Sequence, residues 1–231
     1  MESPAFDPDP DFARLFEGED RPPCQLYLIS PPTLDVEAHA EALQLALRAG
    51  GPVAAYQLRM KDYADEAILG AAARLMPICA AADVAFILND RADLAKACGA
   101  DGVHLGQGDG SVEAARTLLG RDSQIGVTCH GSRHLAMEAG EAGASYVAFG
   151  AFFPSGTKMV EHHATPEILG WWTALSPIPC VAIGGITPAN CGPLVAAGAD
   201  FLAVSGAVWN SVDGPDAAIL RFRDELRSSK P

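Results

Sequence analysis

Short apolar runs without a polar face alternate along the chain with longer stretches of helical periodicity. The runs cover residues 24–29, 53–61, 85–88, 102–105, 124–128, 145–150, 180–183 and 201–205. Bounded by glycine or polar residues and rich in Val, Ile, Leu and Ala, they read as buried strands of a parallel sheet. Between them, amphipathic segments predict helices at 36–49, 63–82, a short one ending at Gly99, then 112–119, one ending at Gly143, and 166–175, 188–197 and 215–226. Strand and helix alternate throughout. A doubly wound open sheet shows the same alternation, but eight units in so short a chain favour a closed (β/α)8 TIM barrel, a single domain over 24–231.

An internal echo supports this count. ACGADGVHLG, EAGASYVAFG and AAGADFLAVSG share one plan: helix end, glycine, alanine, small polar residue, apolar strand. The glycines Gly99, Gly143 and Gly198 suit a left-handed helix stop before the chain turns into a strand. The first 23 residues, acidic and proline-rich (MESPAFDPDP at the start), read as a leader with at most one helical turn and no signal peptide.

In a barrel, chemistry collects at the C-terminal ends of the strands. Those ends carry Gln57-Arg59-Lys61, Asn89-Asp90, Gln107-Asp109, Thr128-His130, Ser155-Thr157-Lys158, Gly184-Gly185 and Ser205-Gly206. Alternation along the second strand puts Gln57, Arg59 and Lys61 on one face and Leu58 and Met60 on the other. Lys158 adds a third cation from a loop. Asp90 and Asp109 leave neighbouring parallel strands at the same end. Either alone reads as a helix cap; together, without His or Cys in the same tips, they suit one Mg2+. Metal, cations and amides describe a diphosphate site. The glycines after the seventh strand and Ser205 after the eighth occupy the barrel position for a phosphate monoester, with Ser155 and Thr157 as further donors. His104 reads as a core histidine and His130 as a strand-tip residue within reach of a ligand. His162 and His163, adjacent in a loop, diverge too much for a metal pair.

The balance of charge narrows the partners. With 29 acidic and 16 basic residues the net charge is -13, which opposes nucleic acid and anionic membranes. Small phosphorylated substrates, met by a local cluster of cations, remain. No apolar run is long enough to span a bilayer, and six cysteines without a C-x-x-C pair read as reduced thiols. Both features predict a soluble, cytoplasmic protein. Monomer and homo-oligomer are equally compatible with the pattern.

These motifs resemble one family, the thiamine phosphate synthases. The resemblance rests on QLRMK at Gln57–Lys61, ND at Asn89-Asp90, ADGVHLGQGD at Ala100–Asp109, GVTCH at Gly126–His130, FPSGTK at Phe153–Lys158, VAIGGIT from Val181 and GADFLAVSGAV from Gly198. It covers roughly 24–226, with the motifs in family order. It implies a transferase of thiamine biosynthesis that joins 4-amino-5-hydroxymethyl-2-methylpyrimidine diphosphate to a thiazole phosphate and releases diphosphate. By the same resemblance Gln57, Arg59, Lys61, Asn89, Thr128 and Lys158 hold the pyrimidine diphosphate, with Arg59, Lys61, Thr128 and Lys158 acting on the leaving group. Asp90 and Asp109 ligate Mg2+, and Ser155, Thr157, Gly185, Val204 and Ser205 hold the thiazole phosphate. Met60 stands where the family usually has Glu, Thr128 where it has Ser, and Ser155 where it has Thr. The segment after Lys158 lacks the usual glycine-rich run.

Two other functions compete. A thiazole tautomerase shares the barrel and uses a histidine near the His130 position, but handles no diphosphate and tends to lose the Asn-Asp and Gln-x-Asp tips. A non-catalytic barrel that binds thiamine precursors would have no use for the acid pair. Both tips are intact here.

Overall fold

A computed structural model describes residues 21–154 and 164–228. Ser155, Thr157, Lys158, His162 and His163 lie outside the described residues. Eight strands close into a barrel in sequence order: β1 (Gln25–Ile29), β2 (Val53–Leu58), β3 (Ala85–Asn89), β4 (Gly102–Leu105), β5 (Gln124–His130), β6 (Tyr146–Gly150), β7 (Cys180–Ile183) and β8 (Phe201–Val204). All neighbours are parallel, and β8 returns to β1. The connecting helices are α1 (Val36–Arg48), α2 (Asp65–Ala80), α3 (Ala92–Cys98), α4 (Val112–Leu119), α5 (Arg133–Glu141), α6 (Glu167–Leu175), α7 (Gly192–Ala196), α8 (Gly206–Trp209) and α9 (Pro215–Ser228). No helix among the described residues is long and apolar enough to cross a membrane.

The alternation of each strand sorts its side chains between two cores. Leu26, Leu28, Tyr56, Leu58, Phe86, Leu88, Val147 and Phe149 join the layer between barrel and helices. Tyr27, Ile29, Ala55, Ile87, Tyr146, Ala148, Val181 and Ala203 fill the interior. Alanines make room there for two tyrosines, the large-and-small filling that a tapering barrel needs.

The sequence echo has a structural meaning. Its small polar residues, Asp101, Ser145 and Asp200, each grip the first part of the preceding strand. Asp101 accepts from Phe86 N at 2.7 Å, Ser145 Oγ from Ile125 N at 3.0 Å and Asp200 from Cys180 N at 2.8 Å. In each case the backbone N–H of the polar residue returns a bond to the carbonyl of the same partner, at 2.9, 2.7 and 3.1 Å. Side-chain oxygens thus satisfy strand-start donors at the N-terminal face, where buried unpaired amides would be costly. Arg21, just outside the strands, extends the third grip. Its guanidinium donates to both Asp200 oxygens at 2.9 and 2.7 Å and to the carbonyls of Thr173 and Ser176.

Some boundaries differ from the sequence pattern for local reasons. β2 ends at Leu58 and not at Lys61, because the Ser30 side chain takes over the backbone of the next residue. Ser30 Oγ accepts from Arg59 N at 2.8 Å and donates to Arg59 O at 3.3 Å. β5 runs past Thr128 to His130 through a bulge, with His130 at φ +52°. The helix expected at 188–197 is only α7, since Asn190 turns the chain first: Thr187 N donates to Asn190 Oδ1 at 2.8 Å, and Asn190 Nδ2 to Gly185 O at 3.0 Å. The extra turn α8 follows β8 where the pattern gave only a strand end.

Candidate active site

The C-terminal rim of β2 to β5 brings together Gln57, Arg59, Lys61, Asn89, Asp90, Asp109 and Thr128. Gln57 is the deepest, 3% exposed, and its Nε2 donates to the interior Tyr27 Oη at 3.1 Å. Arg59 is half-buried, its backbone fixed by Ser30. Met60 is buried among the outer-layer apolar side chains with Leu58, as alternation requires even beyond the strand. Asn89 closes β3, and the next residue, Asp90, adopts a left-handed φ of +65° while its N–H donates to His104 O at 2.8 Å. Aspartate takes that conformation more readily than most non-glycine residues, as Asp62 and Asp83 also do.

The two carboxylates meet. Asp90 and Asp109 are close enough to interact, and Lys61 Nζ lies 3.0 Å from Asp90 Oδ2. Burial, first of all, and the neighbouring Asp109 push the Asp90 carboxyl above its usual range, against the opposing pull of Lys61. Asp109 folds back over its own turn and accepts from Gly106 N at 2.9 Å. Neither acid caps the helix behind it. The N-cap of α3 is Arg91, without a side-chain bond, and that of α4 is Ser111, which accepts from Ala114 N at 3.2 Å. Two hard oxygen donors side by side, one of them resisting ionisation, fit a divalent cation that completes its shell with water and phosphate oxygens.

Thr128 stands beside this pair on β5. Its carbonyl accepts from Gln107 Nε2 at 2.5 Å, tying the β4 tip to β5. Its hydroxyl lies 2.8 Å from His104 Nε2, and His104 Nδ1 lies 3.1 Å from Tyr146 Oη. Burial pushes His104 down to about 4, so the ring is neutral at physiological pH. His104 is therefore a satisfied core histidine, but one in contact with a rim residue. Buried thiols offer no nucleophile nearby: burial holds Cys129 up at about 12.

Across the rim, Gly185 adopts φ +61°, and a Cβ there would sit 2.4 Å from Pro154 O. Only glycine allows the β7 and β6 exit loops to approach so closely. Val204 turns its side chain into the outer layer, leaving its backbone toward the rim, while Ser205 Oγ donates to Ser30 O at 3.3 Å. Ser30 thus touches both halves of the rim, the Arg59 backbone and Ser205. It ends the one strand that the sequence pattern left without a polar tip of note. A lone serine gives no periodic signal; only barrel closure, which sets β1 between β2 and β8, exposes its place.

Chemistry gathered at the C-terminal rim of a closed parallel barrel defines a (β/α)8-barrel enzyme. The family model described as thiamine monophosphate synthase matches residues 26–208. The chain belongs to that family, whose members serve thiamine biosynthesis. It is 59% identical over 204 residues to a thiamine-phosphate synthase of Rhodospirillum centenum, covering 88% of this chain and 98% of that protein. A thiamine-phosphate synthase of Erythrobacter litoralis is 57% identical over 211 residues, with 90% and 97% coverage. Among solved structures, thiamine phosphate pyrophosphorylase from Pyrococcus furiosus superimposes with a TM-score of 0.77 at 30% identity, covering 90% of this chain and 97% of that one.

Proposed function

We propose that this chain joins a pyrimidine diphosphate to a thiazole phosphate in a Mg2+-dependent reaction, forming thiamine phosphate and diphosphate. The observation that carries the reading is the meeting of Asp90 and Asp109 beside Lys61 at the rim. Asp90 and Asp109 would hold the metal, which supplies positive charge to the departing diphosphate.

The chain's own residues do the rest. Arg59 and Lys61 bring further positive charge to the leaving group, and Gln57, Asn89 and Thr128 fix it by hydrogen bonds. The bond from the pyrimidine methylene carbon to the diphosphate oxygen breaks, with its electron pair leaving on oxygen. The thiazole nitrogen then gives its lone pair to that carbon and forms the new C–N bond. No enzyme nucleophile enters, in keeping with the buried thiols and the neutral His104. Gly185, the Val204 backbone and Ser205 would hold the thiazole phosphate, with Ser155 and Thr157 as its further donors, and Lys158 would join Arg59 and Lys61 on the diphosphate.

The test is turnover of the two substrates with and without Mg2+, followed by release of diphosphate. Asp109→Asn is expected to lose at least about a hundredfold in turnover, a loss of metal charge stabilisation worth several kcal/mol. It should also lose the rise in melting temperature that Mg2+ with inorganic diphosphate gives the wild type. Turnover without metal, or an unaltered Asp109→Asn, would remove the assignment.

A further inference from the structure

Beneath the rim, five side chains from five strands form one unbroken polar thread through an interior otherwise filled by Ala, Val, Ile and Phe201. Gln57 Nε2 donates to Tyr27 Oη at 3.1 Å; Tyr27 Oη lies 2.8 Å from Tyr146 Oη; Tyr146 Oη lies 3.1 Å from His104 Nδ1; and His104 Nε2 lies 2.8 Å from Thr128 Oγ1. Two of these five, Gln57 and Thr128, belong to the proposed diphosphate site. The three between them have no assigned role. Packing alone would be served by phenylalanine, which needs no partner in the core.

The register explains how the thread crosses β5. His104, Gly126 and Tyr146 are paired neighbours on β4, β5 and β6. A Cβ on Gly126 would lie 2.0 Å from Tyr146 Cζ, so the phenol ring occupies the room that a side chain would take. The ring stacks on His104 at a centroid distance of 5.6 Å and reaches its Nδ1.

Counting protons gives the thread a direction. The Gln57 amide nitrogen can only donate, so Tyr27 accepts there and passes its single proton to Tyr146. Tyr146 passes its own to His104 Nδ1. The neutral imidazole then carries its hydrogen on Nε2 and donates it to Thr128 Oγ1. With its lone pair used inward, the Thr128 hydroxyl keeps its proton for the mouth of the barrel. Reversing the sense would require the Gln57 amide turned over, the hydrogen on His104 Nδ1 and the Thr128 proton spent inward.

We propose that His104, with Tyr146 and Tyr27 behind it, is a positioning residue that sets the Thr128 hydroxyl as an outward hydrogen-bond donor to an oxyanion. Taking that oxyanion as the substrate's diphosphate rests on the function proposed above. The thread couples the polarity of Gln57 on β2 to that of Thr128 on β5, two strands that are not neighbours in the barrel.

Nitrogen-15 NMR of the histidine side chains in the full chain, with His104→Gln to assign the signal, reads the arrangement directly. The Nε2–H tautomer is expected at neutral pH, and the Nδ1–H tautomer would overturn the proposal whatever the enzyme's activity. A mutant cycle on the affinity for inorganic diphosphate with Mg2+ then separates positioning from mere packing. Tyr146→Phe should weaken binding about tenfold, the worth of one charge-assisted hydrogen bond, and have no further effect on Thr128→Val. Equal losses in both backgrounds would show that Tyr146 does not act through Thr128. If the wild type binds no diphosphate, the functional reading fails, while the tautomer still decides the direction of the thread.

Discussion

Arg59 and Met60 are consecutive, yet one borders the rim and the other is 8% exposed in the outer core. Substituting each by alanine should divide two properties cleanly. Met60→Ala is expected to lower stability by about 2 kcal/mol, the low end for a buried side chain near an edge, and to leave diphosphate affinity intact. Arg59→Ala should do the opposite, as read by urea denaturation and by titration with diphosphate. The alternation that distinguishes them was legible in QLRMK, although the strand itself ends at Leu58, two residues into that motif. His39 makes a different kind of test. Its Nε2 lies 2.9 Å from Tyr56 Oη, its ring meets Trp209 edge-on at 4.6 Å, and burial pushes it down to about 4. The unfolded chain takes up a proton below about pH 6.5 and the native one does not, so stability present above that pH is lost as pH falls toward 4. The slope for this one group is at most about 1.4 kcal/mol per pH unit. Urea midpoints across that window should fall less steeply in His39→Gln than in the wild type; equal slopes would contradict the buried neutral ring. Nothing in the sequence singles out His39, and the place of His104 within β4 marked it as a core histidine without showing its contact with Thr128, because their companions lie 17 and 24 positions away and only the barrel brings them near.

At the scale of elements, β5 shows how one missing side chain shapes its neighbours. Gly126→Ala should force the Tyr146 ring aside, costing about 1–3 kcal/mol, as overpacking in a tight interior does. Adding Tyr146→Ala should make the double variant less unstable than the sum of the two changes, measured by thermal melting. Strictly additive losses would show that the ring has another place to go. All eight strands and the long helices were legible because their apolar spacing is unbroken. The failures fall where a side chain replaces a backbone partner: Ser30 at the end of β2 and Asn190 ahead of α7. Four residues of α8 carry less than two turns, too few for periodicity to register. The convergence of Asp90 and Asp109 was legible from topology alone, since strands joined through one helix run parallel and end on the same side.

For the whole molecule, closure and chemistry occupy opposite ends. Arg21 binds Asp200 with two short bonds and reaches the α6 segment as well, while the pair remains partly open to solvent at 29% and 11% side-chain exposure. Arg21→Ala is therefore expected to cost about 1–2 kcal/mol, discounted for that exposure. Turnover should be unchanged at a temperature where both forms are folded; a loss of activity there would mean that the two ends communicate. Asp101, Ser145 and Asp200 repeat one fastening three times, each joining a strand start to the residue that opens the next strand. Such modular stapling makes the floor of the barrel a place where heat tolerance can be tuned step by step, leaving the catalytic lip free to diverge in what it recognises.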